Sequence, residues 1–110
     1  MPVVWATRIP IDHRTRRPLD VQAANQFGKV CPIFPKTVGP YDIRKQVTII
    51  EEDVLPVATD DDYLLVVGPR TMLTVFTAAW VRHFDSMRLL VYDRLKKEYV
   101  PRIALPPARK

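Results

Sequence analysis

The sequence is poor in the residues that many chemistries require. Its 110 positions hold one cysteine, two histidines and three glycines. A single thiol excludes an internal disulfide framework and any cysteine-rich zinc site. With so few glycines there is no Walker loop and no dinucleotide fingerprint: the one glycine in the best-placed loop, Gly68, is not followed by a lysine–serine pair. Long hydrophobic runs are missing as well. The longest apolar or neutral run, Met72 to Val81, is bracketed by Arg70 and Arg82 and has about half the ~20 residues that a membrane span needs. No basic start leads into an apolar stretch of the secretory kind, so the expectation is a cytoplasmic protein without a membrane partner.

What is present fits a folded chain. Hydrophobic residues make up 47% and charged residues 26%, outside the range of disordered sequences. The length accommodates one domain, read as a single α/β domain over 1–107, and Pro106-Pro107 sets off a short basic tail, Ala108-Arg109-Lys110. Seventeen Lys and Arg against twelve Asp and Glu leave a net charge of +5, which favours acidic partners. That charge is spread through the chain: residues 1–58 carry eight basic and six acidic residues, residues 59–110 nine and six.

The clearest elements lie in the second half. Tyr63-Leu64-Leu65-Val66-Val67 is an unbroken apolar run ended by Gly68-Pro69, the pattern of a strand buried on both faces. From Thr71 to Phe84 the apolar residues Leu73, Phe76, Trp80, Val81 and Phe84 recur at spacings of one helical stripe, and Pro69 suits the helix start. Met87 to Tyr92 reads as the next strand, completing a βαβ unit with a right-handed crossover. A charged turn from Tyr92 to Tyr99 leads into a last strand, Glu98 to Ala104. Pro101 cannot donate to a ladder and sends that strand to the sheet edge. In the first half, Val3–Thr7 and Lys29–Phe34 read as strands, with a short helix between them capped by Asp20 and ended by Gly28. Between Pro40 and Val54, the residues Ile43, Val47, Ile50 and Val54 have helical spacing. Val47-Thr48-Ile49-Ile50 is also β-prone, so a strand remains the alternative. The expected fold is a small α/β sandwich with a four- to five-stranded, mostly parallel sheet, a C-terminal edge hairpin and two main helices.

In such sheets ligands gather beyond the carboxyl ends of the strands. Arg8, His13, Arg14, Arg16 and Arg17 follow the first strand and Lys36 the second. Gly68, Pro69, Arg70 and Thr71 follow the third; Arg94, Lys96 and Lys97 follow the fourth. The third loop opens a helix whose free N–H groups favour an anion. The phosphate-contacting candidates are therefore Arg8, Arg14, Arg16, Arg17, Gly68, Arg70, Thr71, Arg94, Lys96 and Lys97. The competing reading is that these are ordinary solvated turns. Neither a metal nor another cofactor is expected, because His13 beside Asp12 and His83 near Asp85 lack paired ligand spacing. Cys31, between Val30 and Pro32, reads as a small core residue, and Asp60-Asp61-Asp62 as a boundary before a buried strand. Phe76, Trp80 and Phe84 read as core, while Trp5 stays ambiguous between core and stacking platform. No catalytic residue stands out.

Two stretches resemble a known group as a pair. One runs from Asp12 through Thr15-Arg16-Arg17-Pro18 to Ala23-Ala24-Asn25-Gln26-Phe27-Gly28-Lys29-Val30. The other is Asp61 to Pro69, a helix, Arg88-Leu89-Leu90-Val91-Tyr92-Asp93-Arg94 and Tyr99-Val100-Pro101. Together they are similar to a family of short uncharacterised tailed-bacteriophage proteins of unknown function. Trp80 and Phe76 depart from the smaller residues, such as alanine, expected in that helix. The resemblance implies an accessory role in the host cytoplasm and assigns no functional residue. The leading expectation is a non-enzymatic protein binding nucleic acid or a nucleotide through phosphate. The alternatives are a protein–protein module for a host or virion component, or a nucleotide-directed enzyme; pairing of two copies to a homo-oligomer also stays open.

Overall fold

The computed structural model describes residues 2–8 and 22–105. Five strands form one sheet in the order β2-β1-β3-β4-β5: β1 Val3–Ala6, β2 Lys29–Pro32, β3 Tyr63–Leu65, β4 Met87–Asp93 and β5 Glu98–Leu105. The first four strands run parallel, and β5 returns antiparallel along β4. A 3-10 turn, Gln22–Phe27, lies between β1 and β2, where the sequence predicts a short helix; Asp20 itself is outside the described residues. Gly28 ends that turn because nothing larger fits: a Cβ there would sit 2.1 Å from the Pro2 carbonyl oxygen.

Period-two alternation sorts the strands between two faces. Trp5, Leu64 and Met87 point to one face and join Phe34, Ile50, Met72, Phe76 and Trp80 in the main core. Val4, Ala6, Leu65, Leu90 and Tyr99 point to the other, where Ala24 of the 3-10 turn covers them. Helices α1 (Ile43–Ile49) and α2 (Arg70–His83) both lie on the main-core face. Topology requires this. The β2→β3 and β3→β4 crossovers step along the sheet in one direction and β1→β2 in the other, so right-handed connections place the first two on one face and the third opposite.

The β-prone stretch at 47–50 is helical. Beyond Ile49 the helix widens into a π turn over Ile50–Val54, and burial of Ile50 and Val54 in the core outweighs the weak local preference. Gln46 is fully buried and donates through Nε2 to the carbonyls of Gly39 (2.9 Å) and Pro40 (3.1 Å). In α2 the buried row is Met72, Phe76 and Trp80, spaced by four. The expected stripe is corrected at both ends: Met72 is wholly buried, whereas Val81 is 39% exposed and Leu73 and Phe84 are half-buried. A straight helix turns 100° per residue, so Val81 falls one step past the row that Trp80 occupies. Trp80 stacks on Phe76 with ring centroids 5.5 Å apart and donates its indole N–H to the Ser86 carbonyl at 2.9 Å.

Candidate functional site

Because β1 to β4 are parallel, the loops after all four leave from one edge of the sheet. The connections from β1 and β3 depart in opposite directions, which makes the crevice between the ends of β1 and β3 the topological switch point. Thr7 lies directly after β1 and is fully buried; its hydroxyl donates to the Val67 carbonyl at 3.1 Å, tying the two strand ends together. Val66 still donates its N–H to the Leu90 carbonyl at 3.0 Å, but Val67 turns back to the Leu65 carbonyl at 2.9 Å, and the predicted strand stops at Leu65. Gly68 has φ +107°, and a Cβ there would meet Thr7 Oγ1 at 2.6 Å. Glycine thus lets the β3–α2 turn close onto β1.

That turn delivers the start of α2 to the crevice. Pro69 is the N-cap and offers no side-chain acceptor, so the N–H groups of the first turn are uncapped, and Leu73 is the first to bond back, to the Pro69 carbonyl at 3.1 Å. Arg70 is exposed and Thr71 half-buried at this end. Arg8, one residue past Thr7, is half-buried and held within the protein. Its Nη2 donates to the Pro35 carbonyl at 3.0 Å and, through a short contact, to that of Val38, while its Nε is buried with no partner among the described residues. It clamps the loop after β2, where Lys36 is exposed.

The β4–β5 hairpin extends past this edge. The last β3–β4 pair is Leu65 with Leu90, but β4 and β5 stay paired through Val91–Val100, Tyr92–Tyr99 and Asp93–Glu98, a projection of about 10 Å at strand rise. Edge-to-face rings of Tyr92 and Tyr99, 5.3 Å apart, brace the stem. Asp93 Oδ1 accepts the N–H groups of Leu95 (2.9 Å) and Lys96 (3.2 Å) and so shapes the turn. Lys97 adopts φ +55°, a conformation normally left to Gly or Asn. Arg94, Leu95, Lys96 and Lys97 are all exposed. Among the described residues the ion pairs are Lys45–Asp42 at 3.6 Å and Arg88–Asp61 at 3.7 Å, so Arg70, Arg94, Lys96 and Lys97 remain available. Arg14, Arg16 and Arg17 lie outside the described residues, as do His13 and the tail at 108–110.

The opposite edge holds a residue that sequence reasoning misjudged. Asp62 is a buried latch, whereas Asp60 and Asp61 are exposed. Its carboxylate accepts from the Val3 N–H (2.9 Å), the Trp5 indole (2.9 Å), the Thr59 N–H (3.0 Å) and the Thr59 hydroxyl (3.2 Å). Trp5 is accordingly a core residue with a satisfied N–H. The Thr59-x-x-Asp62 spacing before an apolar run was the available signal. His83 is exposed at the end of α2, against Phe84, and Cys31 is half-buried against the main core. Among the described residues no three His, Cys, Asp or Glu side chains gather as metal ligands, and no helix is long and apolar enough to cross a membrane.

The fold and this edge define a small α/β domain with a mostly parallel sheet, helices on one face and a basic hairpin beyond its carboxyl rim. The family model of phage Pam3 gp32-like proteins matches residues 3–105, and the chain belongs to that family. The resemblance to tailed-phage proteins read from the sequence agrees with it. No curated protein and no solved structure matches the chain.

Proposed function

We propose that this phage protein is a non-enzymatic accessory factor that binds an anionic partner, the backbone of a nucleic acid or the phosphate of a nucleotide, at the carboxyl edge of its sheet. The observation that carries the reading is one of placement. The uncapped start of α2 opens at the switch point, and the loops after β2, β3 and β4 bring Lys36, Arg70, Arg94, Lys96 and Lys97 to the same edge with no ion pair among the described residues. Helix N–H groups and unpaired cations both favour phosphate. Arg8 acts as a positioning residue here, since two loop carbonyls already hold its guanidinium.

The test is fluorescence anisotropy at low salt with labelled duplex DNA, single-stranded DNA and RNA, alongside thermal shifts with nucleotides. Binding to a polyanion that weakens with salt supports the reading. A nucleotide-selective rise in melting temperature assigns the edge to a single phosphate group. No response from any of these would end it. A second reading, a protein–protein module, is favoured by a different feature: an apolar groove between α1 and α2.

A further inference from the structure

The β4–β5 turn stands beyond the carboxyl edge on about 10 Å of paired ribbon, and its residues are Arg94-Leu95-Lys96-Lys97. Leu95 is 96% exposed, more than any other large hydrophobic side chain among the described residues. A single exposed leucine on the flank of a domain is ordinary. This one sits at the tip of a projection with a cation on either side of it, and it packs on nothing in the fold.

The tip is also built to hold its shape. Asp93 Oδ1 accepts the N–H groups of Leu95 and Lys96, and the Tyr92 and Tyr99 rings brace the stem below. Little ordering is then lost when a partner is met. The two acids of the hairpin lie behind the tip: Asp93 and Glu98 form the last pair of the ladder, and the Asp93 carboxylate is turned to the turn backbone. What the ribbon presents at its end is one apolar side chain flanked by Arg94, Lys96 and Lys97, all exposed and without ion pairs among the described residues.

That combination fits the minor groove of a DNA duplex, which is about 6 Å wide and about 7.5 Å deep between two rails of phosphate. A ribbon whose strands lie about 4.8 Å apart presents its turn to the groove edge on, and a reach of about 10 Å exceeds the groove depth. The turn therefore touches the base edges while the sheet stays outside the phosphates. One apolar side chain is enough there, because inserted between two base pairs it opens the step and kinks the duplex. The bent duplex then meets more of the basic edge behind the hairpin, where Lys36 and Arg70 are exposed. A lipid surface asks for more: one leucine carries less apolar surface than a single acyl chain, which alone gives only marginal membrane binding.

We infer that the β4–β5 hairpin enters the minor groove of duplex DNA, with Leu95 wedged between base pairs and Arg94, Lys96 and Lys97 on the flanking phosphates. The inference rests on the phosphate-binding reading of the carboxyl edge and adds to it the partner and a bend.

Energy transfer between dyes at the two ends of a short duplex tests it, with anisotropy on the same duplex giving affinity and salt slope. Wild-type protein is expected to raise the transfer, as a kink of about 20–90° brings the ends together. Leu95→Ser is expected to keep the salt slope, bind several-fold more weakly and leave the transfer at its value for free DNA, whereas Leu95→Phe restores the rise. Leu95 has no contact to lose, so both variants are expected to melt with the wild type. Salt-sensitive binding by the wild type without a rise in transfer, or a Leu95→Ser variant that bends DNA as the wild type does, would overturn the wedge and leave the phosphate-binding edge standing. No duplex binding at low salt would overturn the wedge together with duplex DNA as the partner of that edge. Co-sedimentation with phosphatidylserine vesicles that Leu95→Ser abolishes, with no bending of DNA, would overturn it in favour of a membrane surface.

Discussion

Asp62 is the residue on which the amino-edge geometry depends. One buried carboxylate accepts four hydrogen bonds and joins the starts of β1 and β3 through Val3, Trp5 and Thr59. Removing it leaves buried donors without an acceptor, and hydrogen bonds to charged groups are the costly ones to lose. Asp62→Ala is expected to lower unfolding stability by about 3 kcal/mol or more, a large share of what a small domain possesses. Urea denaturation measures it, and a loss under about 0.5 kcal/mol, the ordinary surface range, would contradict the role assigned here. Three successive aspartates gave little warning of this. In sequence they look equivalent, and only the register Val4–Tyr63 shows which of them faces the β1 backbone. Arg8 was hidden for a similar reason: its position after a strand was legible, but its engagement with the Pro35 and Val38 carbonyls depends on how a distant loop returns.

Among the elements, those with strong periodicity were legible and those set by tertiary contacts were not. The βαβ unit from β3 to β4 stands where the apolar run and the helical stripe placed it, because each segment buries one continuous surface. Residues 43–54 were ambiguous because β-branched side chains suit either state, and only packing of Ile50 and Val54 on the sheet decides for the helix. The edge position of β5 followed from Pro101, and the structure adds the reason that edge stays free. The Leu90 carbonyl accepts the Val66 N–H at 3.0 Å, so the backbone of Leu90 faces β3. Its cross-strand partner Pro101 therefore sits at a non-hydrogen-bonded pair and turns its backbone outward. There the proline has no donor, and its carbonyl accepts from Arg102 Nη1 at 2.9 Å. The edge is blunted at its centre against strand pairing. Pro101→Thr with Arg102→Ser restores a donor and frees an acceptor, and is expected to yield larger species than the wild type in sedimentation velocity. An unchanged distribution would show that the proline does not guard the edge.

At the scale of the whole molecule, two faces differ in character. The carboxyl edge gathers cations and an uncapped helix start, and the outer helical face presents an apolar groove bounded by both signs of charge. A net charge of +5 gave no hint of that division, since composition does not know which loops share an edge; parallel pairing of β1 to β4 does. The hairpin makes the carboxyl face separable in experiment. Lys96 and Lys97 are exposed and without ion pairs among the described residues, so replacing them leaves the core untouched. Alanine at 97 keeps the energetic character of a non-glycine residue at φ +55°, so that a change in binding reports charge rather than a relaxed turn.

The most direct measurement is the salt dependence of duplex DNA binding by the wild type and by Lys96→Ala with Lys97→Ala. Each phosphate contact contributes about 0.9 to the slope of log affinity against log salt. The wild type is predicted to bind at low salt with a steep negative slope, and the double variant to bind more weakly with a slope shallower by about two such contacts. Equal slopes and affinities for the two proteins would place any polyanion contact elsewhere, and no binding by the wild type at low salt would contradict a phosphate-binding edge outright.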